Sequence, residues 1–112
     1  MAKQPEKIND VFKALADPTR RAILERLGRG PAGTSALAES FDMALPSFTQ
    51  HLRLLEDSGL VRSIKLGRIR NDKLVPQPLK AAEQWLLRQR KTWECRFDQI
   101  DRQLSDMREK AR

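Results

Sequence analysis

The sequence is poor in metal-ligating and catalytic side chains, since its 112 residues include only one cysteine and one histidine. Cys95 and His51 can supply neither an internal disulfide nor the four soft or imidazole ligands of a typical zinc site. We therefore expect no metal and no other cofactor. No nucleophile-base pair, carboxylate pair or glycine-rich phosphate loop accompanies the histidine, so we do not expect an enzyme.

Long apolar runs are also missing. The sequence has no stretch of about eighteen apolar residues and no signal-peptide pattern, which predicts a soluble cytoplasmic protein without a membrane partner. An apolar content of 39% over 112 residues gives one small domain with a thin core. A thin core favours completion by a second subunit, so we expect dimerisation before any motif is considered.

Basic residues are in excess, and they are unevenly placed. Residues 1–60 contain eight Lys or Arg and eight Asp or Glu, whereas residues 61–112 contain fourteen and seven, for a net charge of +7. Such asymmetry is typical of a surface that binds a polyanion. The alternative is a solvated helix face, because charge runs on long helices usually face water.

Residues 44–60 contain the most informative pattern. Steps of four, three and four, the period of one helix face, separate Phe48, Leu52, Leu55 and Gly59. Side chains of the types that hydrogen-bond base edges and phosphates lie off that stripe, namely Ser47, Gln50, His51 and Arg53. We interpret this segment as a recognition helix. An ordinary amphipathic helix is the alternative on this stretch alone.

Two predicted helices begin the chain. Apolar residues at helical spacing predict a first helix from Ile8 to Leu15 that ends near Ala16. Asp17 followed by Pro18 is an N-cap and first-turn signal for a second helix. Three glycines and a proline between residues 28 and 33 end that helix.

A third predicted helix completes a helix-turn-helix. Thr34 or Ser35 can cap it, and its apolar residues continue to about Phe41. A three-residue connection, 42–44, then leads to the recognition helix, which is the spacing of a helix-turn-helix. Ala44 stands where a Ser or Thr N-cap is expected.

After Leu60 the pattern changes to apolar residues interspersed with basic ones. Gly67-Arg68 predicts the tip of a β-hairpin, which directly after a helix-turn-helix is a wing. Residues 62–73 contain five basic residues and one acidic residue. Asn71-Asp72 is poor strand sequence, so we expect the second strand to be short or kinked there.

Pro76 and Pro78 precede a last helix that is predicted from Leu79 to about Met107. Its later apolar residues follow a heptad seam, Trp93, Phe97, Ile100, Leu104 and Met107. A seam on a helix of about 43 Å favours a dimer. The alternative is a helix folded back on its own domain. Cys95 lies off the seam and is interpreted as an inert thiol rather than a redox switch.

Taken in order, these segments resemble the ArsR family of bacterial winged helix-turn-helix repressors. The resemblance is carried by LADPTRRAILERL at 15–27, SFTQHLRLLEDSGLV at 47–61, GR at 67–68 and PLKAAEQWLLRQRKTWECRFDQID at 78–101. The expected fold is mainly α with a small β-hairpin wing. It would form a single domain over 1–112, with a DNA-binding core at 8–75, the wing at 60–75 and a dimerisation helix at 78–108.

The resemblance implies a homodimeric repressor that binds a pseudo-palindromic operator in double-stranded DNA. The DNA-binding residues it implies are Ser47, Thr49, Gln50, His51, Arg53, Lys65, Arg68 and Arg70. The dimer interface it implies contains Phe12, Leu86, Trp93, Phe97, Ile100 and Leu104. The family's metal-sensing cysteines and histidines are missing, and no effector is identified. A winged-helix module that binds protein without specific DNA binding is the alternative.

Overall fold

The computed structural model describes the backbone of residues 3–111 and the side chains of residues 8–111. Along that part of the chain the elements are α1 (Lys3–Leu15), α2 (Pro18–Leu27), β1 (Ala32–Gly33), α3 (Thr34–Glu39), α4 (Leu45–Asp57), β2 (Val61–Leu66), β3 (Ile69–Leu74) and α5 (Gln77–Ala111). This is the predicted winged helix-turn-helix fold. Residue contacts group the chain into two compact units, 1–82 and 83–112, and the single-domain organisation stays a prediction.

The core of the first unit is built from the apolar faces of its helices. The fully buried large side chains include Val11, Ile23, Leu37, Phe48, Leu55 and Leu60. Phe48, Leu52 and Leu55 of α4 are all buried, so the predicted apolar stripe of the recognition helix is confirmed. Gly59, at φ 83°, ends that segment in a backbone conformation that favours glycine.

The start of α2 is confirmed, and α1 is longer than predicted. The Asp17 carboxylate Oδ2 accepts hydrogen bonds from the backbone N–H groups of Thr19 at 2.8 Å and Arg20 at 3.2 Å. In α1 the helix begins at Lys3, before the predicted Ile8. Polar residues that favour helix extend it beyond the apolar stripe, and a proline is tolerated in a first turn.

The predicted cap of α3 is wrong. Gly33 occupies the N-cap position without a side-chain hydrogen bond, and Thr34 is already the first helical residue. The helix also ends at Glu39, earlier than the predicted Phe41, so the connection to α4 spans residues 40–44. Thr34 lies one residue too late in the chain to be the N-cap, and its hydroxyl donates instead to the Asp72 carboxylate at 2.8 Å.

The predicted hairpin is confirmed, and a third strand joins it. The strand order is β1-β3-β2, and all pairs are antiparallel. Gly67 has φ +66° and Arg68 does not have positive φ, as in a type II′ hairpin turn. The expectation of a short or kinked second strand at Asn71-Asp72 is wrong, because β3 is paired without interruption from Ile69 to Leu74. Asn71 and Asp72 pair with Gly33 and Ala32 of β1 on one side and with β2 on the other.

Asp72 is fully buried at the centre of this sheet. Its second carboxylate oxygen, Oδ1, lies 2.5 Å from the Ser63 hydroxyl. The same hydroxyl lies 2.9 Å from Oε1 of Glu56, at the end of α4. Together with the contact from Thr34, these hydrogen bonds join α3, α4, β2 and β3. We call Thr34, Glu56, Ser63 and Asp72 the Asp72 node.

The last helix, α5, is longer than predicted at both ends. Its 35 residues span about 52 Å at 1.5 Å per residue. From residue 83 onward the helix has no fully buried side chain. No helix within residues 3–111 is both long and apolar enough to cross a membrane.

The Asp72 node leads to a stability prediction. Ser63 has one hydroxyl proton and two carboxylates within reach, so it can donate to only one of them at a time. An asparagine amide at 72 would donate to Ser63 and free that proton for Glu56, while its carbonyl oxygen would still accept from Thr34. We expect Asp72→Ala to lower the free energy of unfolding by about 1–3 kcal/mol, because the half-buried Thr34 hydroxyl loses its acceptor and Ser63 keeps only Glu56. Asp72→Asn should cost less than half as much in urea denaturation, and equal losses would contradict this account.

The first turn of α4 leads to a second stability prediction. Ala44 occupies the N-cap position in extended conformation and supplies no capping hydrogen bond. Ala44→Ser should raise the free energy of unfolding by about 1 kcal/mol, because the hydroxyl can accept from an unpaired N–H of the first turn. Ala81→Ser, at an exposed position within α5, is the matched control and should be neutral or slightly destabilising. Urea denaturation of both variants tests the cap, and a gain shared by the two would argue against it.

Candidate nucleic-acid interface

The polar side of α4 is accessible, as a base-reading surface requires. Ser47, Thr49, Gln50 and Arg53 are all exposed. They lie outside the buried stripe of α4, which consists of Phe48, Leu52 and Leu55. Four of the five DNA-binding residues predicted on this helix are therefore open to a ligand. Their contacts with DNA stay a prediction.

His51, the fifth predicted residue of α4, lies at the border between the polar side and the core. Its side chain is 22% exposed. Nδ1 of its ring lies 3.1 Å from the Arg20 guanidinium nitrogen Nη1 and 3.9 Å from the Asp17 carboxylate. The imidazole therefore contacts Arg20 of α2 and lies near the Asp17 cap, contacts that its place off the apolar stripe did not predict.

Arg20 is a functional candidate that the sequence analysis missed. Its Nε donates to the carbonyl of Ala14 at 2.9 Å and its Nη2 to that of Lys13 at 2.8 Å. The neighbouring Arg21 donates to the carbonyl of Leu15 at 2.6 Å. Both arginines thus donate to carbonyl groups in the last turn of α1, where a helix lacks part of its own donors. The Lys13 carbonyl also accepts from the backbone N–H of Ala16 at 3.3 Å.

A sequence signal for this arrangement does exist. Two adjacent arginines in the first turn of a helix oppose the helix dipole, which favours acidic side chains there. An unfavourable placement of this kind indicates that the guanidinium groups have another partner. The α1 carbonyls are that partner.

The Asp17 carboxylate beside His51 remains ionised over most of the pH range. Burial by itself raises the pKa of Asp17, but hydrogen bonds from the backbone N–H groups of Arg20 and Thr19, together with the positive Arg20 guanidinium, bring it below its ordinary value. Asp17 therefore serves as a charged N-cap at neutral pH.

The wing presents the second predicted group of residues. Lys65, Arg68 and Arg70 are all exposed. Lys65 pairs directly with Arg70 across the two strands, and Arg62 pairs with Lys73. Directly opposed like charges destabilise an antiparallel pair. The hairpin therefore carries two unfavourable charge pairs in its six-residue strands.

Alternation along the strands places these two pairs on different faces of the wing. Val61 and Asp72 are buried, so the face that carries them is directed inward, and Lys65 and Arg70 continue this face beyond the core. Arg70 Nη2 lies 3.8 Å from Glu56 Oε1 of α4. This exposed ion pair is weak and leaves Arg70 available to a stronger anion.

The outer face of the wing is partly apolar. Ile64, Leu66 and Ile69 are exposed on it, between 42% and 65% of each side chain. They belong to the predicted hairpin, but their exposure was not expected. Arg62 and Lys73 share this face with them.

The heptad seam of α5 is exposed along its whole length. Trp93, Phe97, Ile100, Leu104 and Met107 each expose about half to two thirds of the side chain, 48–65%. A surface depression on this helix is lined by Trp93, Arg96, Phe97 and Ile100. Cys95 is exposed as a free thiol.

The other two predicted interface residues differ from each other. Leu86 is exposed on α5. Phe12 of α1 is half-buried and packs against the core of the first unit. Their role in a dimer stays a prediction. Within residues 3–111 no three or more His, Cys, Asp or Glu side chains are grouped so that they could hold a metal ion.

Known proteins share both the sequence and the fold of this chain. A sequence family described as a helix-turn-helix domain matches residues 15–64. The transcriptional repressor SdpR of Bacillus subtilis is 34% identical over 80 residues, which cover 71% of this chain and 89% of that protein. The HTH-type transcriptional regulator Rv2034 of Mycobacterium tuberculosis is 41% identical over 70 residues, 62% of this chain and 65% of that protein.

Solved structures extend the similarity to the whole fold. A crystal structure of an ArsR family transcriptional regulator is 55% identical, with a TM-score of 0.76 over 84% of this chain and 97% of that one. A solution structure of a homodimeric winged helix-turn-helix DNA-binding domain from Mycobacterium bovis is 27% identical, with a TM-score of 0.63 over 83% of this chain and 84% of that one. The chain belongs to the ArsR family of winged helix-turn-helix transcriptional regulators.

Proposed function

We propose that this protein is a homodimeric transcriptional repressor that binds a pseudo-palindromic operator in double-stranded DNA. The observation that carries the proposal is that basic residues stand directly opposite each other twice in the wing, Lys65 opposite Arg70 and Arg62 opposite Lys73. A hairpin that tolerates two such pairs gives up stability. A polyanion that binds both faces removes the repulsion, and DNA phosphates have that chemistry.

Sequence would be read by the exposed side of α4. Gln50 carries an amide donor and an amide acceptor, which suit bidentate pairing with adenine in the major groove. Ser47 and Thr49 supply hydroxyls beside it, and Arg53 supplies a charge for a phosphate. The wing follows α4 directly along the chain. Both parts would therefore contact neighbouring segments of one duplex.

The second subunit would be recruited by α5. Its seam leaves five large apolar side chains exposed on one helix face. An isolated helix of this polarity is marginally stable in water, and burial of the seam against an identical seam would stabilise it. The family relative from Mycobacterium bovis is homodimeric. Two subunits would place their recognition helices about one DNA turn apart, roughly 34 Å.

The apolar outer face of the wing favours a second candidate function. Ile64, Leu66 and Ile69 form an exposed patch that a protein partner could cover. This candidate is a winged-helix module that binds protein and not DNA. It leaves the repulsion between Lys65 and Arg70 on the inner face unexplained, unless the partner is acidic.

The first test is selection of bound fragments from random DNA over a series of salt concentrations. We expect enrichment of a two-fold-symmetric site and a linear fall of log affinity with log salt concentration. Binding that shows a salt slope but enriches no sequence would reduce the proposal to non-specific DNA binding. No binding at low salt would favour the protein-binding candidate.

Two substitutions separate base reading from phosphate binding. Gln50→Ala should remove sequence preference, with an affinity loss of about 1–3 kcal/mol on the operator and little change on random DNA. Arg68→Ala should weaken binding to both DNAs alike and reduce the salt slope by about one unit. The two effects can be measured by fluorescence anisotropy on operator and random duplexes.

Arg29→Ala is the matched control for the wing substitution. Arg29 is an exposed arginine in the connection after α2, outside the proposed interface. The Arg29→Ala substitution removes the same charge as Arg68→Ala but no proposed phosphate contact. Its salt slope should therefore match that of the unmodified protein. If Arg29→Ala flattened the slope as much as Arg68→Ala, only net charge and not the wing would determine affinity.

The dimer assignment has its own test. Phe97→Glu places a charge in the middle of the exposed seam, where dimerisation would bury it at a cost of several kcal/mol. We expect a monomer in sedimentation analysis and a loss of operator affinity of at least about tenfold. Ser105→Glu, an exposed position off the seam, should remain dimeric. A dimeric Phe97→Glu protein would move the interface away from α5.

A further inference from the structure

We infer that Arg20 holds His51 as the neutral tautomer with its proton on Nε2, so that the recognition helix presents a hydrogen-bond donor at this position. The inference rests on the proposed function for the identity of the ligand, DNA. The tautomer itself follows from contacts within the first unit and can be tested without DNA.

The first step concerns the contact between the two side chains. The Arg20 nitrogen Nη1 lies 3.1 Å from Nδ1 of His51. A guanidinium group is always protonated and has donors only. Nδ1 must therefore be the acceptor in this contact and carry no proton. A neutral imidazole that accepts at Nδ1 has its proton on Nε2.

The second step concerns the rigidity of Arg20. Its Nε and Nη2 donate to the carbonyls of Ala14 and Lys13 at the end of α1. These two bonds determine where Nη1 points. The guanidinium group is thus fixed by the end of α1, and the tautomer of His51 is the one that fits its position.

The third step concerns Asp17, which could favour the charged imidazolium instead. Its Oδ2 lies 3.9 Å from Nδ1, beyond hydrogen-bonding distance. The same oxygen already accepts hydrogen bonds from the backbone N–H groups of Thr19 and Arg20. Asp17 is therefore engaged as an N-cap, and the donor nearest to Nδ1 is Arg20.

The fourth step concerns the opposite ring nitrogen. Nε2 of His51 has no hydrogen-bond partner within the described residues. Every fully buried side-chain nitrogen or oxygen in that part of the chain does have a partner, so Nε2 is not one of the buried atoms. Nε2 is therefore at least partly accessible to solvent. Ser47 lies one helical turn before it on the exposed side of α4.

A donor fixed in this way has a defined preference for DNA. It pairs with acceptors, namely N7 or O6 of guanine, N7 of adenine, O4 of thymine or a phosphate oxygen. It opposes the amino groups of cytosine and adenine, which are donors too. A free histidine could change tautomer and accept from those groups. Arg20 would remove that option and so act as a positioning residue for specificity.

The direct test is NMR of the protein without DNA. Long-range ¹H–¹⁵N correlation distinguishes protonated from unprotonated ring nitrogens, and His51 is the single histidine, so assignment is immediate. We expect an unprotonated Nδ1 and a protonated Nε2 at neutral pH. Arg20→Lys should produce a mixture of tautomers, because an ammonium cannot form the three directed contacts of the guanidinium.

Arg21→Lys is the matched control for this spectrum. Arg21 also donates to a carbonyl of the α1 terminus, but its hydrogen bond goes to Leu15 and not to His51. The His51 signals should therefore keep the pattern of the unmodified protein. A proton on Nδ1 in the unmodified protein would overturn the inference. So would an Arg20→Lys spectrum identical to that of Arg21→Lys.

Two substitutions of His51 then divide the roles of its ring nitrogens. His51→Asn keeps an acceptor near the position of Nδ1 and removes the donor at Nε2. It should remain as stable as the unmodified protein and lose about tenfold in operator affinity, the equivalent of 1.4 kcal/mol. His51→Gln places an amide near the position of Nε2, so it should lose less operator affinity than His51→Asn and more stability.

Comparison with random DNA identifies the acceptor. A loss confined to the operator assigns the donor to a base edge, and an equal loss on both DNAs assigns it to a phosphate. Full affinity of His51→Asn on both DNAs would overturn the DNA-contacting part of the inference. If the unmodified protein enriches no DNA sequence, the proposed function fails, while the NMR spectrum still decides the tautomer.

Discussion

The buried carboxylate of Asp72 is the constraint on which the geometry of the candidate interface depends. It lies at the centre of the sheet and accepts hydrogen bonds from Thr34 and Ser63. Ser63 in turn contacts Glu56 at the end of α4. A buried carboxylate is costly unless it is hydrogen-bonded, so the Thr34 and Ser63 hydroxyls stabilise Asp72 where it is. The node thereby sets the wing against α4, and the proposed binding to one duplex requires both to be correctly placed.

The wing combines stabilising hydrogen bonds and destabilising like-charge pairs within one hairpin. Its base is held by the Asp72 node and by β1, whereas its outer half opposes Lys65 to Arg70 and carries Arg68 at the tip. The favourable interactions at the base allow the unfavourable charges to persist in the folded state. Binding of an anion would gain free energy from the charges that the isolated hairpin leaves uncompensated. Affinity would thus depend on repulsion already present in the free protein.

Local patterns predicted much of this fold, and contacts between distant residues account for the failures. The Asp17 cap, the stripe of α4 and the Gly67 turn depend on neighbours in the chain, and all are confirmed. The two-residue strand β1 has no pattern of its own and exists through pairing with Asn71 and Asp72. The alternation of side chains along β3 did contain a signal that Asp72 is buried. Asp72 is two residues from Leu74, so both lie on the inward face of the strand. Exposure of the α4 residues was also predictable, whereas their contacts with DNA require a complex.

The link between Arg20 and His51 shows how an element needed for folding can restrict what the surface recognises. Arg20 supplies donors to the carbonyls of Ala14 and Lys13 at the end of α1, where helix carbonyls lack part of their intrahelical partners. Its third nitrogen, Nη1, contacts His51, the single histidine of α4. Because the Arg20 guanidinium can only donate, Nδ1 of His51 must accept, and the uncharged imidazole then carries its proton on Nε2. The hydrogen-bonding character of His51 toward solvent is therefore decided by α1 and α2, although neither helix carries a predicted base-reading residue.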